Sequence, residues 1–266
     1  MKKFLSLLLA ALMILTCLAA VSCNKEEPET PDDGEEKAPA TVTRSFLAGY
    51  ESEGAMGATS GRVLMNLKDD GTLELYVGFV GMGAHQTAKY TGTYTLGENE
   101  EFDETISFTY THGEVTEKVE NATILDGCFS TPFYMISAMT AGELNFYETS
   151  PAKTDGETYV GYLTKVGGMG NMVYAYALNM KDDGTFSVSI MYLAAVMHVW
   201  GESTGTYTVD GDKITFTYDV QDGEGGIAEE DFVSEGTKTG DYTLTAGFNI
   251  ALTSIRASDA TFIKIK

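Results

Sequence analysis

Lys181-Asp182-Asp183-Gly184-Thr185-Phe186-Ser187-Val188-Ser189-Ile190-Met191-Tyr192 is the stretch that decides the fold. Its later part alternates. Phe186, Val188, Ile190 and Tyr192 fall on one side of an extended chain and Thr185, Ser187, Ser189 and Met191 on the other, the period of a strand with one buried face. The Asp-Gly ahead of it is turn chemistry, because glycine accepts positive φ without steric cost. The same text stands earlier as Lys68-Asp69-Asp70-Gly71-Thr72, followed by Leu73, Leu75, Val77 and Phe79 in alternation. The offset is 113 residues, and at that offset Gly54 to Thr95 matches Gly167 to Thr208 without a gap, with 15 of 42 positions identical.

Working outward, Thr91-Gly92-Thr93-Tyr94-Thr95 recurs as Thr204-Gly205-Thr206-Tyr207-Thr208, and Ile106, Phe108 and Tyr110 recur as Ile214, Phe216 and Tyr218. The chain is a tandem duplication, with one copy over residues 44–150 and a second over 155–266, each long enough for its own core. Strands are expected in copy one near 46–52, 61–69, 72–81, 88–96, 105–111, 114–124, 132–140 and 143–149. Eight antiparallel strands in meander order are enough to close a barrel, which removes exposed edges; a β-sandwich is the alternative. The fold class is therefore all-β, with two tandem antiparallel meander barrels.

Composition agrees. Glycine at 29 against proline at 5, with 15 tyrosines and 13 phenylalanines, suits strands and turns. Asp plus Glu at 39 against Lys plus Arg at 17 gives a net charge of −22, which repels phosphate backbones and argues against nucleic acid as a partner.

The N-terminus reads as an address. Lys2 and Lys3 precede an uncharged run from Phe4 to Val21, the pattern of a secretory signal over residues 1–22. Ala20-Val21-Ser22-Cys23 then resembles the lipobox of bacterial lipoproteins, although Ala20 stands where that family prefers leucine. The resemblance implies cleavage before Cys23 and acylation of its thiol with diacylglycerol and palmitate-type chains; Cys17 is the rival position. Residues 23–43 form an acidic, proline-bearing linker with Glu26, Glu27, Glu29, Asp32, Asp33, Glu35 and Glu36, a solvated tether. An acidic run so placed resembles the surface-export signal of some Bacteroidetes lipoproteins. The expected location is the cell envelope, lipid-anchored, at the outer membrane if the cell has one, with membrane lipid as partner through Cys23.

The run from Thr204 to Thr217 is similar to the lipocalin-like domains of the calycin superfamily found in bacterial lipoproteins. That resemblance implies small up-and-down barrels with an apolar interior open at one end. The Gly-x-Trp of typical lipocalin first strands is absent: Gly49-Tyr50 and Gly161-Tyr162 stand near its place, and the single tryptophan is Trp200.

His85 and His198 occupy one repeat position, and each shares parity with the inward residues of the strand before it. Read so, they line a barrel end as polar handles at an apolar mouth. The plainer reading is a strand-end histidine kept by duplication. Met56 and Met169 sit between glycines in equivalent loops, as adaptable tips of a lid or as core packing. Tyr176 and Tyr192, with Trp200, complete a ligand-binding set concentrated in copy two. Cys128 alone remains in the globular part and is expected to be an inert buried thiol. One histidine per copy does not make a zinc site. Asp69-Asp70 and Asp182-Asp183 read as turns. No catalytic signature and no cofactor motif stands in the chain. The expected function is a non-catalytic, membrane-anchored lipoprotein that binds a small, mainly apolar molecule. The rival is a structural or protein-interaction module with solid barrel cores, and the packing around Tyr174, Tyr176 and Tyr192 discriminates the two.

Overall fold

The computed structural model describes residues 38–54, 57–136, 139–167, 170–194, 197–221, 226–249 and 259–266. Cys23, the signal segment, most of the linker, Met56 and Met169 lie outside the described residues. Among the described residues there are sixteen strands and no helix. Copy one supplies β1 (Val42–Gly54), β2 (Gly57–Lys68), β3 (Thr72–Gly81), β4 (Ala84–Glu98), β5 (Glu104–His112), β6 (Val115–Thr123), β7 (Cys128–Ile136) and β8 (Met139–Thr149). Copy two supplies β9 (Glu157–Gly167), β10 (Gly170–Met180), β11 (Thr185–Ala194), β12 (Met197–Asp210), β13 (Lys213–Gln221), β14 (Ile227–Gly240), β15 (Thr243–Ala246) and β16 (Ala260–Lys264).

The chain is all-β, two eight-stranded antiparallel barrels. In copy two β16 pairs β9 and β14 pairs β15, so the barrel closes. In copy one the order is β6-β5-β4-β3-β2-β1-β8-β7, and β6 and β7 face each other without a ladder. There a single bridge, Leu125 to Cys128, stands where copy two makes three pairs.

The repeated motifs are repeated because they hold each other. Gly71 and Gly184 adopt φ of 80° and 81° in three-residue turns, and the preceding Asp70 and Asp183 carboxylates accept from the Thr72 and Thr185 hydroxyls at 2.6 Å. The Tyr94 hydroxyl donates to Lys68 O and the Tyr207 hydroxyl to Lys181 O, each at 2.8 Å, which fastens the Thr-Gly-Thr-Tyr strand across the mouth of that turn. The glycine is needed for close approach: a Cβ on Gly92 would lie 1.7 Å from Thr109 O, and one on Gly205 2.1 Å from Thr217 O.

Side chains fill each barrel. Copy one packs Phe46, Met65, Leu75, Phe108, Phe129 and Phe146 inward; copy two packs Tyr176, Phe186, Ile190, Phe216, Phe248 and Phe262. A third apolar cluster lies between the barrels, with Leu47, Leu64, Tyr76 and Tyr147 from copy one against Val160, Tyr162, Met191 and Ile265 from copy two. Ala40 to Lys266 is thus one compact unit with three cores.

Candidate functional site: the joint and the seam

The two repeat-equivalent histidines face outward, and each reaches the other barrel. His85 Nε2 lies 2.9 Å from Lys264 O, and its ring stacks on Tyr242 at 4.0 Å. His198 Nε2 lies 3.1 Å from Glu148 O and Nδ1 2.5 Å from Asp126 O. Gly127 leaves room for that ring, since a Cβ there would come within 2.6 Å of it. The inward orientation expected from parity is corrected by turn length. A two-residue turn pairs Val80 with His85 and Leu193 with His198, odd with even, so inward odd positions on β3 and even ones on β11 oppose inward even and odd positions respectively. Trp200 follows His198 to the outer face, 4.8 Å from its ring and 45% exposed. The two residues therefore belong to the barrel joint and not to a barrel mouth.

At the centre of the joint is Arg62, fully buried. Its guanidinium donates to Tyr50 O, Gly61 O and, across the joint, Thr261 O, and pairs with the Glu51 carboxylate at 2.7 Å. Burial pulls its pKa down and Glu51 pulls it back up. Tyr162 lies beneath the cation at 5.6 Å, against Gly49, where a Cβ would touch the ring at 2.6 Å. Ser150 and Lys153, in the connection between β8 and β9, add polar contacts to Gly201 O and Glu202.

Tyr176 and Tyr192 are inside barrel two, both buried. Tyr192 packs on Tyr174 with centroids 4.9 Å apart, and Tyr176 lies between Phe248 and Phe262 at 6.1 and 5.4 Å. The Tyr176 hydroxyl has no hydrogen-bond partner among the described residues, and burial pushes its pKa up. Cys128 is half-buried, its thiol pushed up to about 11 by desolvation, the environment of an unreactive sulfur. Among the described residues no group of three His, Cys, Asp or Glu side chains gathers to hold a metal.

The seam between β6 and β7 was not read from the sequence. It opens into a cleft of about 400 Å³ between Glu117–Ala122 on one wall and Ser130–Tyr134 on the other, with Tyr110 at its floor. The third histidine contacts a residue of each wall: His112 stacks on Tyr134 at 4.1 Å and its Nε2 lies 3.2 Å from Glu117. The Tyr110 hydroxyl accepts from Tyr134 N–H at 3.1 Å, and copy two repeats the device with Tyr218 and Asn249 N–H at 2.9 Å. The available signal was Pro132 within an apolar run, since proline in a strand marks an edge.

No family model and no curated protein matches the chain. Among solved structures, the chain is similar to a protein of unknown function from the DUF3598 family of Nostoc punctiforme. The two are 10% identical, with a TM-score of 0.17, over 85% of this chain and 95% of that one.

Proposed function

We propose that this chain is a lipid-anchored, non-catalytic protein of the cell envelope whose two filled barrels form an interaction or structural module. The observation that carries the reading is the filling of the interiors: Tyr174, Tyr176 and Tyr192 are packed among aromatic rings, with relative exposures of 5%, 0% and 2%. Core space given to the protein's own side chains leaves recognition to the surface, and the joint holds the two surfaces in one fixed relation. The net charge of −22 turns that surface away from nucleic acid and anionic polymers. The anchor rests on the sequence around Cys23.

One observation favours a second reading, a small apolar ligand with one polar group inside barrel two. A buried hydroxyl without a partner costs about 1–3 kcal/mol, and Tyr176 carries one. Native mass spectrometry of freshly purified protein separates the two. The first reading expects the bare polypeptide mass plus its acyl chains, with label from a palmitate analogue in the wild type and none in Cys23→Ser. A small adduct that Tyr176→Phe abolishes would overturn the first reading in favour of the second.

A further inference from the structure

β6 and β7 carry a ladder on one side only, a state that barrel closure otherwise removes. The two edges are not alike. Cys128 N–H donates to Leu125 O across the seam, and alternation places the backbone groups of Ser130, Pro132 and Tyr134 on that same side. Pro132 has no N–H, and the Tyr134 N–H is taken by the Tyr110 hydroxyl. The β7 edge is therefore largely quenched from within.

The β6 edge is not. A two-residue turn at Gly113-Glu114 sets His112 opposite Val115, so Val115, Glu117 and Val119 point their backbone groups at β5, and Thr116, Lys118 and Glu120 point theirs at the seam. The cleft beside that edge is floored by Tyr110, Val119, Ala122 and Phe133, an apolar strip at the depth where alternate side chains of an added strand would lie.

We propose that the β6 edge docks an extended, basic peptide segment of a partner protein, added to the sheet as a further strand with alternate apolar side chains seated in the cleft. Only another backbone supplies donors and acceptors at strand spacing, which sets the class of occupant. Charge sets the kind. Glu114, Glu117 and Glu120 outnumber Lys118 along this edge, on a chain of net charge −22, so a second copy would meet like charge and a Lys- or Arg-bearing strand its complement. The bulge at Asn121, with φ of 51°, limits the edge to its first half and further opposes self-pairing. This inference rests on the interaction-module reading above.

The test titrates the full mature chain with a short fluorescent peptide of alternating valine and lysine. Its controls are a peptide of the same composition with the two residue types in blocks and one alternating valine with glutamate. The alternating basic peptide is expected to bind at least tenfold more tightly than either control and to slow hydrogen exchange at the Thr116, Lys118 and Glu120 amides. Lys118→Pro removes one seam-facing N–H without touching the β5 ladder and is expected to weaken binding at least tenfold. Glu120→Lys, an exposed charge reversal that keeps the fold, is expected to weaken it as well. Equal binding of the blocked peptide, binding indifferent to both variants, or no binding at millimolar peptide would overturn the proposal. A small-molecule adduct that Tyr176→Phe abolishes in the native mass spectrum would sink the interaction-module reading alone, while leaving the titration to stand on its own result.

Discussion

Glu74 gathers two ammonium groups and a phenol at the rim of the joint. Lys89 Nζ lies 2.7 Å and Lys68 Nζ 3.0 Å from Oε1, and the Tyr76 hydroxyl donates to Oε2 at 2.8 Å. Burial by itself pushes the carboxyl up, and these three partners more than reverse it, to about 2 from the ordinary 4.5. A depressed carboxylate contributes stability that is fully present above its unfolded value and lost as pH falls through the folded one. The wild type should therefore lose stability between about pH 4.5 and about pH 2 more steeply than Glu74→Gln, which has no proton to take up there. Urea unfolding midpoints at a series of pH values in that window test this, and parallel curves for the two proteins would refute it. Tyr76 also accepts from the Thr154 hydroxyl at 3.4 Å, so this one carboxylate orders a side chain of the barrel joint.

At the scale of the strand, turn length governs which face each residue presents. The three-residue turn at Asp69–Gly71 keeps parity, Leu67 opposite Leu73, while the two-residue turn at Met82-Gly83 reverses it. The alternation of Leu73, Leu75 and Val77 was legible because it lies within one strand. The orientation of His85 was not, because it depends on the number of residues in a turn that carries no Asp-Gly signature. The eight strands per copy and the duplication were likewise legible from period and spacing. The open seam was not, since pairing between β6 and β7 is settled by a short four-residue connection whose sequence resembles an ordinary hairpin. Gly205 is the element-scale test. Its missing Cβ admits Thr217 O, so Gly205→Ala should force β12 and β13 apart and cost about 1–3 kcal/mol, read as a fall in thermal midpoint. Gly201→Ala, with open space around its Cβ position, is the matched control and should change little.

On the scale of the whole molecule, the third apolar cluster makes the two barrels interdependent. Ile265 is buried in it, 2% exposed, in one cluster with Tyr76 of the opposite barrel and Met191 of its own, and its side chain lies against Gly78 of the opposite barrel. A charge placed there has no partner and is strongly disfavoured. The wild type should unfold by calorimetry in one cooperative transition, and Ile265→Asp should split it into two as the barrels part. A single undivided transition in the variant would show that the barrels do not rely on this cluster. The contacts across the joint are reciprocal: His85 meets Lys264 of the last strand of copy two, and His198 meets Glu148, the matching position in the last strand of copy one. That is the geometry of an isologous pair, in which the same patch is used from both sides. The duplicated chain is in this sense a symmetric dimer made covalent. Fusion through a short connection holds the halves at an effective concentration of about millimolar, whatever the amount of protein made, so a patch too weak to join separate chains stays engaged. Once association no longer depends on perfect symmetry, the halves are free to differ, and Arg62 stands on one side of the joint where the repeat position on the other is Ala175.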